Sequence, residues 1–126
     1  MHGVLNDQSM IYLQIARMLE DDILRGIYQE GEQVPSTNEL ARSYNINPAT
    51  AAKGINLLVA DGILYKKRGI GMFVAPGAGE TVRQKRKDAF YDGFVKSLVK
   101  EGFSLSLTRE ELLAMVTRAI EEGEQK

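Results

Sequence analysis

Two helix starts follow closely in QVPSTNELARSYNINPATAAKGI, Gln33 to Ile55, and no other stretch limits the architecture as much. Ser36 and Glu39 spell a capping box. The serine hydroxyl takes the amide three residues on and the glutamate reaches back to the serine amide, so a helix should start at Thr37 and carry Leu40 and Ala41 inward. It must end near Ser43 or Tyr44, because Asn47 and Pro48 announce another start. Asparagine caps well, and proline at the first helical position lacks only an amide that would have no partner anyway. The later helix should run from Pro48 to about Asp61, burying Ala51 or Ala52 with Ile55, Leu58 and Val59, and stop at Gly62.

The flanks supply three further pieces. Residues 1–9 show no periodicity, with Ser9 in a capping position, and Tyr12, Ile15, Ala16, Leu19 and Ile23 then recur at helical spacing over residues 10–25 until Gly26. Glu32 to Val34, between Gly31 and Pro35, fits a short edge strand. After the hairpin of helices, Ile63–Lys67 and Met72–Ala75 read as two strands turning through Arg68-Gly69-Ile70-Gly71. Pro76, Gly77 and Gly79 read as a linker. Beyond it Phe90, Phe94 and Leu98, joined by Tyr91, Val95 and Val99, share one face of a helix over 82–101 that Gly102 should break. A second capping box, Thr108 and Glu111, opens a last helix with Leu112, Leu113, Val116, Ala119 and Ile120 on its apolar side.

The expected fold class is therefore mainly α with a small β-hairpin wing. A winged helix-turn-helix occupies residues 1–76, and a linker with a two-helix C-terminal dimerisation region occupies 77–126. A chain of 126 residues suits one small domain with an appendage, not two independent cores. The dimer follows from area. Two amphipathic helices bury too little alone, so the faces carrying Phe90, Phe94, Leu98, Leu112, Val116 and Ile120 must pack on the winged domain, on a second copy, or on both.

Several function classes are disfavoured. With no cysteine there are no disulfides and no thiolate metal sites, which fits a reducing, cytoplasmic setting. No apolar run approaches membrane-spanning length, and the first ten residues lack a signal-peptide pattern. His2 is the single histidine, so no metal or catalytic histidine set can form around it. Glu20, Asp21 and Asp22 are consecutive and point in different directions on a helix, and Ser36 has no histidine partner. No catalytic residue, metal or cofactor is expected, and the chain is not read as an enzyme.

The net charge of −1 disfavours nucleic acid only as an average. Arg83 to Lys100 holds six cations against two acids, and the stretch from Glu101 onward holds six acids against three cations. In the winged arrangement the second helix braces across the DNA backbone, the third enters the major groove and the hairpin tip lies beside it. Helix starts at Ser36 and Asn47 would offer backbone amides and partial positive charge to phosphate. Lys66, Lys67 and Arg68 would add cations at the tip. The same features admit a plainer reading. Capping boxes are common, Thr50, Lys53 and Asn56 suit any solvated helix, and Arg83–Lys87 suits a solvated helix start better than a DNA arm.

Residues 10–75 resemble the DNA-binding domain of GntR-type bacterial transcription regulators. The matching pieces are IYLQIARMLEDDILRGIYQEGEQVPS, NELA and NINPATAAKGINLLVADGILYKKRGIGMFV. The short helical tail is similar to that of the YtrA-like subfamily. The resemblance implies a homodimeric regulator, a repressor, on a two-fold operator in double-stranded DNA. By position it puts DNA contacts on Ser36, Thr37, Asn38, Asn47, Ala49, Thr50, Lys53, Arg68 and Gly69, with Lys66 and Gly71 nearby. Asn38 and Ala52 depart from the pattern, since both places often hold arginine, and Met10 stands where proline often precedes the first helix. The alternative is a winged-helix protein-interaction module with little DNA affinity. A small-molecule effector is left open, because some forty residues of helix cannot enclose a sizeable pocket; any such site belongs at the dimer interface or between domains.

Overall fold

Helix α1 (Ile11–Leu24) turns Ile11, Ile15, Ala16, Leu19 and Ile23 inward as one buried stripe. The computed structural model describes residues 11–125, so the positions of His2, Ser9 and Met10 lie outside the described residues. Gly26, at φ 78°, turns the chain out of α1. Helices α2 (Thr37–Tyr44) and α3 (Pro48–Ala60) begin at the two caps read from sequence. Asn45 closes α2 in the left-handed conformation at φ 52°, which asparagine tolerates better than most residues. Ala51, Gly54, Ile55 and Leu58 are the buried positions of α3. Ala51, rather than Ala52, is the inward alanine, and Val59 is half-buried.

Strands β1 (Leu64–Lys67) and β2 (Gly71–Val74) pair antiparallel, Leu64 opposite Val74 and Lys67 opposite Gly71. The edge strand expected at Glu32–Val34 is reduced to one bridge, Gln33 opposite Phe73. Its backbone nevertheless runs beside β2, through Gly31 N–H to Val74 O (2.8 Å), Val74 N–H to Glu32 O (2.9 Å) and Val34 N–H to Met72 O (3.0 Å). The core beneath these elements contains Ile15, Ile55, Leu58, Ile63, Leu64, Val74 and Val82, all fully buried. Each such side chain stabilises the fold by roughly 1.5–3 kcal/mol on transfer from water.

The chain divides into two compact units between Gln84 and Lys85, eight residues after the boundary expected at 76. The reason lies in α4 (Ala78–Phe90), which starts four residues before the expected helix start at 82. Ala78 and Val82 are fully buried in the winged core, so burial draws the first turns of α4 onto it despite Gly79. Only Gly77, at φ 73°, remains of the glycine-rich linker as a sharp turn.

In the second unit a π turn at Tyr91–Val95 follows α4 directly and leads into α5 (Lys96–Ser104). Gly102 does not break α5, as its sequence position suggested. It is buried, and a Cβ there would collide with the side chain of Leu112. Glycine at 102 is therefore a contact point inside a helical hairpin. The turn itself falls at Ser106, at φ 62°, and Leu107 N–H returns to Gly102 O at 3.0 Å. Helix α6 (Arg109–Glu124) opens on the expected Thr108–Glu111 capping box. Among the described residues no helix is long and apolar enough to cross a membrane.

Candidate nucleic-acid interface

The start of α2 is built by reciprocal capping. Ser36 Oγ accepts from Glu39 N–H at 3.1 Å, and Glu39 Oε1 accepts from Ser36 N–H at 2.8 Å. Leu40 N–H already bonds Ser36 O. Helix geometry leaves the amides of Thr37 and Asn38 without an intrahelical acceptor, facing outward beside two short polar side chains. The start of α3 is different. Asn47 Oδ1 accepts from Ala49 N–H at 2.8 Å, Asn47 O accepts from Thr50 and Ala51 N–H, and Pro48 has no amide. The expectation that both helix starts present free amides is thus corrected. Asn47 consumes those of α3, and only α2 keeps a pair to offer.

On α3 the exposed stripe is Ala49, Lys53 and Asn56, with Thr50 half-buried beside it. The Nζ of Lys53 stands 4.2 Å from the ring centre of Tyr12, so a residue of α1 orients the one cation of the helix. The three wing cations also separate. Tyr65 and Phe73 stack across the hairpin with centroids 5.9 Å apart, and Lys67 folds onto them, 4.3 Å above the Phe73 ring. Lys66 and Arg68 are exposed, and strand alternation puts Lys66 on the opposite face from Lys67. Arg68 and Gly69 form the centre of a turn closed by Ile70 N–H to Lys67 O at 2.9 Å, with Gly69 at φ 77°. Gly71 is half-buried against the side chain of Gln33.

Two groups that sequence reasoning passed over therefore shape this surface. Tyr12 and Gln33 each touch a predicted site residue from a distant part of the chain. Local pattern gave Tyr12 only a place in the α1 stripe and Gln33 only a place in a short strand, not these contacts. In the acidic run of α1, Asp22 Oδ1 accepts from Arg25 at 3.0 Å, and Glu20 is buried. Asp22, Tyr28, Tyr44 and Leu40 help line a hollow of about 160 Å³ between α1 and α2. Burial first, then the Asp22 charge, raises both tyrosine pKa values above the ordinary 10.0. Farther on, Arg83, in the second turn of α4, pairs with Glu80 at 2.7 Å. Among the described residues no cluster of three potential ligands is placed to hold a metal.

The capping box has a pH signature. Glu39 is held below its usual 4.5, first by the Ser36 backbone N–H and then by the Ser36 side chain. A depressed carboxylate contributes stability that is complete above its unfolded value and is lost as pH falls through its folded value. The melting-temperature advantage of wild type over Glu39→Gln should hold steady at neutral pH and vanish as acid protonates Glu39. An advantage unchanged into strong acid would contradict this origin.

The pattern that defines "Bacterial regulatory proteins, gntR family" matches residues 11–74, the first residue of α1 to the last of β2. The chain belongs to the gntR family. A gntR-family putative transcriptional regulator from Bacteroides thetaiotaomicron has a similar structure, with TM-score 0.72 and 35% identity, covering 90% of this chain and 98% of that one. The tail therefore has a counterpart there as well as the winged part. The HTH-type transcriptional repressor YtrA of Bacillus subtilis is 35% identical over 72 residues, 57% of this chain and 55% of that protein. A probable fructoselysine utilization operon transcriptional repressor of Escherichia coli is 45% identical over 65 residues, 52% of this chain. This gntR chain spans only 27% of that longer relative. The family consists of regulatory proteins, not enzymes.

Proposed function

We propose that this gntR-family protein is a DNA-binding transcription regulator, a repressor, acting in the cytoplasm as a homodimer on a two-fold operator. The observation that carries the reading is the joint exposure of the α2 start, α3 and the wing on one core. Ser36 and Asn38 are exposed at α2, Asn47, Ala49 and Lys53 at α3, and Lys66, Arg68 and Gly69 at the wing. Thr37, Thr50 and Gly71 are half-buried among them. In this reading α3 enters the major groove, with Thr50 and Lys53 toward base edges. The α2 amides and the wing cations take phosphates, which position the protein but carry no sequence information. That the similar YtrA of Bacillus subtilis is a transcriptional repressor supports repression as the direction of control.

Support for the homodimer comes from the second unit. Between Lys85 and Gln125 the one buried residue is Gly102. Phe90, Phe94, Leu98 and Ile120 are exposed, Leu112 and Val116 are half-buried, and Leu112 is already engaged at Gly102. Such a hairpin has no core of its own, and a second copy of the same face supplies one about a two-fold axis. Two copies also double a small number of phosphate contacts. A small-molecule effector, if one acts, belongs between subunits. The α1–α2 hollow falls below the roughly 300 Å³ at which ordinary ligand pockets begin.

The test is a salt titration of binding to random duplex, followed by selection of bound genomic fragments. A regulator gives a steep negative slope of log K against log salt and a recovered palindrome. The other reading, a winged protein-interaction module, rests on Asn38, Ala52 and the consumed α3 amides, and it gives neither. Asn38→Arg, which places a cation beside the α2 amides of each subunit, should strengthen binding to all sequences and steepen the salt slope by about 1.8 for the dimer, about 0.9 per subunit. An unchanged slope would remove Asn38 from the phosphate contacts.

A further inference from the structure

The wing tip has little to hold it. Ile70 is 64% exposed, and the turn is closed by one internal hydrogen bond, from Ile70 N–H to Lys67 O. A further tie comes from thirty-seven positions away: Gln33 Nε2 donates to Ile70 O at 3.0 Å. A Cβ on residue 71 would collide with the same side-chain amide, and Gly71 has φ 148°, a conformation side chains avoid. Gln33 also belongs to a short strip with two further attachments. Its neighbours bond the β2 backbone at Met72 and Val74, and two residues after Val34 the strip becomes the Ser36 cap of α2. One continuous segment therefore touches the wing tip at one end and the start of α2 at the other.

We propose that Gln33 is a positioning residue that sets the wing tip, and with it Arg68 and Gly69, at a fixed place relative to the α2 start. Gly71 is then glycine to admit the Gln33 side chain, not to admit a phosphate. The proposal rests on the DNA-binding reading for its consequence but not for its geometry. Gln33 is exposed and contributes nothing to the core, so its loss leaves the fold intact while freeing the tip.

Three variants and two readouts test it. Gln33→Ala removes the amide, and Gln33→Glu keeps its size but cannot donate to a carbonyl. Arg68→Ala reports what the wing contributes. Without DNA, nitrogen-15 relaxation of Gly69 and Ile70 should show a more mobile tip in both Gln33 variants, with thermal unfolding close to wild type. With duplex, each Gln33 variant should bind about 3- to 10-fold more weakly for each subunit engaged, the loss of one ordinary hydrogen bond in each. Arg68→Ala, costly in wild type, should then cost little more in the Gln33→Ala background. Wild-type tip order in Gln33→Ala, with an undiminished Arg68→Ala effect, would overturn the proposal. A wild-type protein that binds no duplex would instead overturn the regulator reading, while the relaxation data still judge Gln33.

Discussion

Gly54→Val will lower the melting temperature of the winged unit by roughly 15 °C, the shift expected of a small domain for a loss of about 3 kcal/mol. Glycine inside a helix ordinarily costs about 1 kcal/mol against alanine, so substitution at an open site would stabilise. Residue 54 is not open. A Cβ there would lie 2.7 Å from the backbone oxygen of Tyr12 and 3.0 Å from Cγ2 of Ile15. A backbone oxygen cannot swing aside as a flexible side chain can, so α1 and α3 must separate. Separation opens the core around Ile15 and Ile55, both fully buried, and draws Lys53 away from the Tyr12 ring. The variant should therefore lose duplex binding even where it remains folded. Gly123→Ala is the control, since nothing lies within 4 Å of that site; it should cost nothing. Circular-dichroism melts decide the matter, and a Gly54→Val protein melting with wild type would show that the α1–α3 crossing is looser than described.

Phe94→Glu should leave the winged unit intact, convert a dimer to a monomer and reduce operator affinity by on the order of 100-fold or more. Phe94 is 69% exposed, and its ring lies 5.5 Å from that of Phe90. An exposed aromatic pair on a hairpin without a core is apolar area that a second copy would cover in the proposed dimer. A carboxylate at its centre would be buried without a counter-charge on pairing, a penalty large enough to prevent association. Monomers retain the reading surface but must occupy two half-sites independently, so the linked second contact is lost. Sedimentation at micromolar concentration checks the first claim and operator titration the second. A wild-type monomer, or a Phe94→Glu dimer with undiminished affinity, would end the symmetric-dimer account.

Much of this molecule is readable in short windows. The capping boxes at Ser36 and Thr108 and the Asn47-Pro48 pair all mark true helix starts, because a cap is made by residues within three positions of each other. The apolar stripe of α1 and the pairing of the wing strands follow equally local periods. The candidate DNA contacts came from the family resemblance by position, and they remain a proposal.

What local pattern could not decide was where one segment presses on another. Gly79 reads as a linker, yet it sits in a helix drawn onto the core by Ala78 and Val82. Gly102 reads as a stop, yet it admits Leu112. The wing tip is met by Gln33, thirty-seven positions away. By itself, then, the sequence determined where each helix begins and which faces are apolar, since caps and periodicity act over a turn or two. Tertiary structure decided which glycines are contacts and which polar groups remain to meet a ligand. Those outcomes depend on atoms brought together from remote parts of the chain.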